Sequence, residues 1–261
     1  MSRVNRASKF VTERLDGIQP TTAIVLGSGL NIKADMVHSQ FKNSEIPGFI
    51  TPKVLGHAGN VTAGVFANHQ ILLIQGRVHY YEGIPSSHVS FQVHFANELN
   101  IKNIIFMSAA GGISRSLRSG SMMLVHDHIC AQPLNATWRH GSVYDSKWTD
   151  QVVAVCNDPL VSSGVYVWTL GPSYETPSEI LAFERRGGDA VGMSLVPEAL
   201  EASALGMSVL ALAVITNPAA GLGNHLLNHQ AVLQAAGNAQ SKLAHLLAIA
   251  LDQRSINDSL T

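Results

Sequence analysis

Six polar residues, each placed shortly after a predicted strand, have the chemistry of a pocket for an anion beside a flat heterocycle. They are Ser28, Arg77, His79, Glu175, Ser194 and Asn217. A guanidinium is the best planar donor to phosphate oxygens, and hydroxyls and an imidazole add further donors. A carboxylate accepts from a ring N–H, and an Asn amide can both donate to and accept from the edge of a base. Because ligands of α/β proteins collect at the carboxyl ends of strands, we expect these residues to meet there.

Three motifs favour the anion. The glycines of Gly27-Ser28-Gly29 let the backbone approach a ligand, although this motif taken alone is more often a plain tight turn. The second motif is the segment 76–83. If its backbone is extended, Arg77, His79 and Tyr81 lie on one face. Ser194 precedes a predicted helix, whose free N-terminal amides favour negative charge. Convergence of these donors would form a phosphate site.

Two further segments favour the heterocycle. Thr176 and Pro177 suit the start of a helix, but this does not explain Tyr174-Glu175 just before them. An aromatic ring next to a carboxylate in a loop suits a flat ligand with an N–H to bind. The segment Ala109–Gly112 follows a predicted strand, and its small residues would let backbone N–H groups face the same ligand, with a plain strand-to-turn transition as the equal alternative.

The pattern of the whole chain predicts how these residues are positioned. Short apolar runs alternate with segments of helical period, which indicates an α/β fold with a mixed central β-sheet flanked by helices. No repeat or linker divides the sequence, so we expect a single domain over 1–261. The strand candidates are 23–26, 61–66, 70–75, 101–108, 122–129, 165–170, 190–193 and 209–216, of which 61–66 and 70–75 form a hairpin. The helix candidates are 88–99, 177–187, 196–206 and 229–252.

Composition limits the kinds of partner that this protein is expected to bind. The chain has 17 Lys and Arg against 18 Asp and Glu, and only 13% of its residues are charged. This balance disfavours a nucleic-acid partner, which demands a clustered basic surface. No apolar run predicts a membrane span, and residues 1–17 have no apolar segment of a signal peptide. We expect a cytoplasmic protein, with burial of subunit faces in an oligomer as one explanation for its low charge.

Two other sites receive little support. His126 and His128 could place two imidazoles on one strand face, but no third ligand is evident nearby, so no metal is predicted. Cys130 and Cys156 are too few for a disulfide scaffold. A dinucleotide-binding oxidoreductase is disfavoured, because Gly27-Ser28-Gly29 lacks a third glycine and a ribose-binding acid in the expected register.

Taken together, the motifs resemble those of the trimeric class of purine nucleoside phosphorylases, the group that cleaves inosine and guanosine. Each motif is modest alone, but they occur in family order over nearly the whole chain. They are GSGL (27–30), GHAG (56–59), QGRVHYYEG (75–83), AAGG (109–112), GPSYET (171–176), VGMSLVPE (191–198), ITN (215–217) and Asn228-His229.

The resemblance implies reversible phosphorolysis of 6-oxopurine ribonucleosides and deoxyribonucleosides to purine base plus pentose 1-phosphate. Phosphate would be a co-substrate, with no metal or organic cofactor, and the chain would form a homotrimer. The implied phosphate site consists of Ser28, His57, Arg77, His79, the Ala109 amide and Ser194. The implied nucleoside site consists of Tyr81, Tyr174, Glu175, Met193, Asn217 and His229.

The resemblance also implies individual roles, with Asn217, His79 and Glu175 as the catalytic set. Glu175 would accept from the purine N1–H, and Asn217 would bond N7 and O6. Tyr174 would stack near the base. The sugar contacts are Tyr81 and Met193 against the ribose and His229 at the 5′-hydroxyl, and His57 would sit on a loop at the edge of the phosphate site.

The sequence departs from the family pattern in three places. Met107-Ser108 stands where the family has Thr-Asn, and Cys130 stands where it has Asn. The segment 131–164 looks shorter and unrelated, and Trp138, Tyr144 or Trp148 would have to replace the family's aromatic at the sugar site. These departures leave open a preference for xanthosine or a 5′-modified nucleoside, or a nucleoside-binding paralogue with reduced turnover.

Overall fold

A computed structural model describes residues 2–50, 59–134, 141–223 and 229–259. Within these ranges the chain forms nine strands and eight helices. The strands are Thr22–Leu26 (β1), Met36–Lys42 (β2), Asn60–Phe66 (β3), His69–Gln75 (β4), Asn103–Gly112 (β5), Met122–Cys130 (β6), Val161–Trp168 (β7), Ala190–Gly192 (β8) and Ser208–Pro218 (β9). The helices are Arg3–Thr12 (α1), Ser86–Val89 (α2), Phe91–Glu98 (α3), Ser146–Cys156 (α4), Pro177–Arg185 (α5), Val196–Ala204 (α6), His229–Asn238 (α7) and Gln240–Ser259 (α8).

The strands form one mixed sheet in the order β2-β3-β4-β1-β5-β8-β7-β6-β9, with a further pairing between β5 and β9. Strand β1 is parallel to both β4 and β5, and β3 and β4 form the predicted antiparallel hairpin. The additional β5–β9 pairing closes β5, β8, β7, β6 and β9 into a ring. The predicted α/β fold with a mixed central sheet is therefore confirmed.

Helices cover both faces of the open part of the sheet. Side chains alternate along β1, so that Ala23 and Val25 face one core while Ile24 and Leu26 face another. Helices α1, α3 and α6 contribute to the first core, and α4, α7 and α8 contribute to the second. Burial on both faces explains why β1 is apolar along its whole length rather than at alternate positions.

The predicted helix 229–252 is wrong as a single element. Helix α7 ends at Asn238 and α8 begins at Gln240, and α8 extends to Ser259. Gly237 and Asn238 stand at the break, and both are poor residues for a helix interior. The predicted helix 88–99 is likewise two helices, α2 and α3, with Ser90 between them.

Three elements were not predicted. Strand β2 lies at the edge of the sheet with mostly exposed side chains, so it lacks the apolar alternation that indicates a strand. Helix α1 has few apolar residues and is capped by Ser2, whose side chain accepts from the backbone N–H of Asn5. Helix α4 lies in the segment 131–164, where the sequence departs from the family pattern.

No helix in the described ranges is both long and apolar enough to cross a membrane.

Helix α4 is attached to α8 through a buried tryptophan. The side chain of Trp148 is fully buried, and its Nε1 donates to the backbone oxygen of Ala250 at 2.7 Å. Arg254 on α8 lies near the same ring and forms an ion pair with Asp145 at 3.0 Å, just before α4. The contact therefore combines apolar burial with polar bonds.

Replacing Trp148 with Phe should lower the free energy of unfolding by about 1–3 kcal/mol, because a buried hydrogen bond is lost and a smaller ring leaves a void. Urea denaturation followed by circular dichroism measures this change. Val155→Ala on the same helix, where the side chain is 52% exposed, is the control and should stay within about 0.5 kcal/mol of the original. Equal losses for both variants would contradict this account.

Candidate active site

A cavity lies where β5, β8 and β9 meet. It encloses about 730 Å³ of empty space, including space open to solvent at its mouth, which suits a small-molecule ligand. Nine of the residues predicted from the sequence line it: Ser28, His79, Tyr81, Ala109, Tyr174, Glu175, Met193, Ser194 and Asn217. The described part of the chain does not include His57, and it includes only the backbone of His229.

The pairing of β5 on both sides brings these residues together. Gly111 lies opposite Val191 of β8 and opposite Asn217 of β9. The predicted strand end at residue 108 is wrong, because β5 continues through Gly112 with an irregularity in its pairing with β9 after Ala110. Partners distant in sequence extend the strand here, which local composition could not indicate. The backbone of Ala109–Gly112 therefore forms the floor between the two neighbouring strands.

One end of the cavity carries hydroxyls with a guanidinium behind them. The Oγ atoms of Ser194 and Ser108 share a hydrogen bond of 2.7 Å, and both residues line the cavity. Arg77 is only 1% exposed, and its Nη1 donates to the Oγ of Ser194 at 3.0 Å. The guanidinium therefore stands behind Ser194 and donates to its hydroxyl oxygen. This end has the donors that a phosphate oxygen requires.

The charge of Arg77 has a buried counter-ion that sequence reasoning did not single out. Nε of Arg77 lies 3.5 Å from Oε2 of Glu198, and both side chains are almost fully buried. Burial raises the pKa of the Glu198 carboxyl, and the positive charge of Arg77 opposes that shift. A buried guanidinium without such a partner would be strongly destabilising. The available signal was an acid in the first turn of α6, directly after the Ser194 motif.

His79 and Tyr81 reach the cavity from the same side, but not through an extended backbone. Tyr80–Glu82 forms a short 3₁₀ turn, so the predicted alternation is wrong beyond His79. The two rings are stacked, with centroids 4.9 Å apart. Glu82 holds this turn, because its Oε1 accepts from the backbone N–H of His79 at 2.7 Å and lies 3.4 Å from the ring Nδ1. Burial and the charge of Glu82 raise the pKa of the Tyr81 hydroxyl.

The cavity lining also includes a carboxylate and an amide. Glu175 Oε1 accepts from the hydroxyl of Thr169 at 2.7 Å. Asn217 Oδ1 accepts from the hydroxyl of Thr216 at 2.8 Å, and its Nδ2 donates to the backbone oxygen of Pro218. Tyr174, beside Glu175, is 40% exposed at the mouth. An acceptor, an amide and an exposed ring suit the edge and face of a heterocycle.

The loop between β7 and α5 approaches Met193 and Tyr81 closely. A Cβ atom at Gly171 would overlap the Met193 sulfur and crowd the Tyr81 ring, and its φ of +74° is also unfavourable for other residues. Thr176 then caps α5, because its side chain accepts from the backbone N–H of Glu179. The cap confirms the predicted helix start, and the glycine allows the loop to pass beside the cavity.

The two aromatic replacements that the structure describes are unavailable to the cavity. Tyr144 is 2% exposed, and its hydroxyl lies 3.1 Å from Nδ1 of His128. Trp148 is buried between α4 and α8, and Trp138 lies outside the described residues.

Burial lowers the pKa of His128, against the opposing charge of Asp127. Among the side chains described, no group of three His, Cys, Asp or Glu residues is arranged to hold a metal ion.

Comparison with known proteins agrees with this geometry. The pattern of the Phosphorylase superfamily matches residues 21–252. Purine nucleoside phosphorylase 1 of Bacillus subtilis is 35% identical over 249 residues, covering 89% of this chain and 91% of the relative. The purine nucleoside phosphorylase of Mycobacterium leprae is 36% identical and covers 93% of each chain.

The fold is similar to those of solved purine nucleoside phosphorylase structures. The purine nucleoside phosphorylase of Schistosoma mansoni in complex with adenosine has a TM-score of 0.84 and 29% identity, with 95% of each chain covered. The structure of that protein with inosine also has a TM-score of 0.84, at 28% identity. The fold and the family therefore agree across sequence and structure.

Replacing Ser194 with Ala should weaken the binding of inorganic phosphate by about 10-fold or more, because a hydroxyl that accepts from Arg77 is lost from the anion end. Isothermal titration calorimetry measures the dissociation constant. Ser203→Ala, near the end of α6 and outside the cavity lining, is the control and should leave the dissociation constant unchanged. Unaltered phosphate binding in Ser194→Ala would show that this end is not the anion site.

Proposed function

This chain belongs to the phosphorylase superfamily and is an enzyme of the purine nucleoside phosphorylase type, and we propose that its substrates are the 6-oxopurine nucleosides inosine and guanosine and their deoxy forms. The observation that carries the proposal is that one cavity is lined by two kinds of group. Hydroxyls backed by Arg77 suit an anion, and Glu175 and Asn217 suit the edge of a base.

The anion end is the proposed phosphate site. Ser28, Ser194, His79 and the backbone amide of Ala109 donate to phosphate oxygens, while Arg77 supplies the positive charge behind Ser194. His57 is proposed to complete this site from its loop. Inorganic phosphate acts as the second substrate, and no metal or organic cofactor is needed for the displacement.

The nucleoside occupies the remainder of the cavity. Tyr81 and Met193 pack against the pentose, and His229 meets its 5′-hydroxyl. Tyr174 stacks on the base at the mouth. This arrangement places C1′ of the sugar between the phosphate and the purine, which is the geometry that a displacement at C1′ requires.

The reaction exchanges one bond at C1′ for another. The C1′–N9 bond breaks and its electron pair leaves with the purine, so the sugar acquires oxocarbenium character as in glycoside hydrolysis. A phosphate oxygen then bonds to C1′ and gives pentose 1-phosphate, and the proton that the hydrogen phosphate loses is taken up by the purine anion. The negative charge of phosphate stabilises the developing sugar cation, and positioning and electrostatics supply most of the rate.

Asn217 stabilises the departing base. Its amide forms hydrogen bonds with N7 and O6 of the purine. The hydrogen bond that its N–H donates to the base becomes stronger as negative charge develops on the base. The Thr216 hydroxyl bonds the Asn217 oxygen and thereby limits rotation of the amide. Asn217 and Glu175 act on the base, and His79 acts on the phosphate.

Glu175 supplies the proposed specificity. A carboxylate only accepts hydrogen bonds, and a 6-oxopurine presents an N1–H to it. Adenine presents an unprotonated N1 that would face the carboxylate as a second acceptor. Since a site built around one buried hydrogen bond rejects ligands that cannot make it, adenosine should react at least ~100-fold less efficiently than inosine.

A homotrimer is part of the same proposal, since subunit interfaces would cover some of a lightly charged surface. Only 13% of the residues are charged.

The segment 131–164 departs from the family pattern, and its described aromatics Tyr144 and Trp148 are buried away from the cavity. Xanthosine or a 5′-modified nucleoside therefore stays a second candidate substrate.

Assays of inosine, guanosine, xanthosine and adenosine, each with and without phosphate, test this proposal. We expect phosphate-dependent release of hypoxanthine and guanine, with kcat/KM for adenosine at least ~100-fold lower. The complex of the Schistosoma mansoni enzyme with adenosine makes rates, rather than binding, the decisive comparison. Equal rates for adenosine and inosine would overturn the specificity, and cleavage without phosphate would overturn phosphorolysis.

A further inference from the structure

Thr169 contacts the proposed base-recognition carboxylate from behind. It directly follows β7 and is only 5% exposed. Its Oγ1 lies 2.7 Å from Oε1 of Glu175, and its backbone N–H donates to the oxygen of Gly192 at 2.9 Å. Thr169 is therefore tied to the end of β8, whereas Glu175 lies in the loop before α5. The side-chain bond links a rigid strand end to a loop residue.

The direction of this hydrogen bond follows from the groups involved. An ionised carboxylate has no proton to donate, whereas a threonine hydroxyl has one. Thr169 therefore donates to Oε1, and Oε2 remains available to accept from a ligand in the cavity. Within the part of the chain that the structure describes, Thr169 is the one side chain that hydrogen-bonds to the Glu175 carboxylate.

The surroundings of Glu175 give this bond its importance. Its neighbour Tyr174 is exposed at the mouth of the cavity, and Pro172 and Ser173 are exposed as well. Thr176, on the other side, is committed to capping α5. The backbone around Glu175 is thus fixed by the cap, but rotation of its side chain is restrained by the Thr169 hydroxyl.

We propose that Thr169 is a specificity-determining positioning residue, whose hydroxyl holds the Glu175 carboxylate so that its second oxygen meets the N1–H of a 6-oxopurine. The inference rests on the proposed function and names the group that sets its selectivity.

The test removes the hydroxyl of Thr169 and keeps the approximate shape of its side chain. Thr169→Val should lower kcat/KM for inosine by about 10- to 100-fold, as expected for loss of a hydrogen bond to a charged group. Activity on adenosine should change less than about 3-fold, because adenine does not use the carboxylate in this way, so the inosine-to-adenosine ratio falls. Thr169→Ser retains the hydroxyl and should restore most of the ratio.

Controls separate positioning from folding. Thr62→Val removes a buried hydroxyl from β3, where it accepts from Gln40, and should leave the ratio unchanged. Melting temperature and the dissociation constant of inorganic phosphate should be the same in Thr169→Val as in the original protein. In a Glu175→Ala background, Thr169→Val should cause less than about a 2-fold further loss, because non-additivity is expected only if the two residues act together.

The outcomes distinguish the two proposals. If the original protein prefers inosine and Thr169→Val keeps the same inosine-to-adenosine ratio, the role of Thr169 is wrong while the proposed function stands. If Thr169→Val and Glu175→Ala lower kcat/KM additively, Thr169 acts on folding rather than through Glu175, and the inference is again overturned. If the original protein does not prefer inosine, both proposals fail.

Discussion

The site depends on strand β5, which pairs with a different strand on each side and belongs to both the open sheet and the closed ring. Near its carboxyl end, Gly111 lies opposite Val191 of β8 and Asn217 of β9. The next residue, Gly112, has no room for a side chain, since a Cβ atom there would overlap the backbone oxygen of Leu117. This pairing brings Ser194, which follows β8, and Asn217 of β9 to one cavity.

Electrostatic placement explains how a chain with 13% charged residues can bind a phosphate dianion. Arg77 supplies the charge from a position behind Ser194, and Glu198 balances it in the interior. Breaking such a buried pair by removing one partner typically costs about 3–5 kcal/mol. The donors that face the cavity are hydroxyls and an imidazole, so the protein exposes little charge when the cavity is empty. The local arrangement of charge, rather than the net charge, is what suits the anion.

Much of the cavity lining could be predicted from sequence, because residues after the strands of an α/β sheet converge at one edge. The supporting residues Glu198, Thr169 and Thr216 were not singled out, since each acts through a polar contact with a predicted site residue: Glu198 pairs with Arg77, Thr169 bonds Glu175 and Thr216 bonds Asn217. Such contacts depend on tertiary packing, and no local pattern specifies them. The same reason explains why the predicted strand ends at residue 108, short of Gly112: strands distant in sequence extend β5 there.

A crystal structure of the protein with hypoxanthine and ribose 1-phosphate tests the division of the cavity most directly. The account predicts the purine N1 at about 3 Å from the Glu175 carboxylate oxygen that Thr169 leaves free, a hydrogen-bond distance. It predicts the phosphate group beside Ser28 and Ser194, with the amide of Asn217 on the N7 and O6 edge. A phosphate group bound between Glu175 and Asn217, or a purine bound against Ser194, would contradict it.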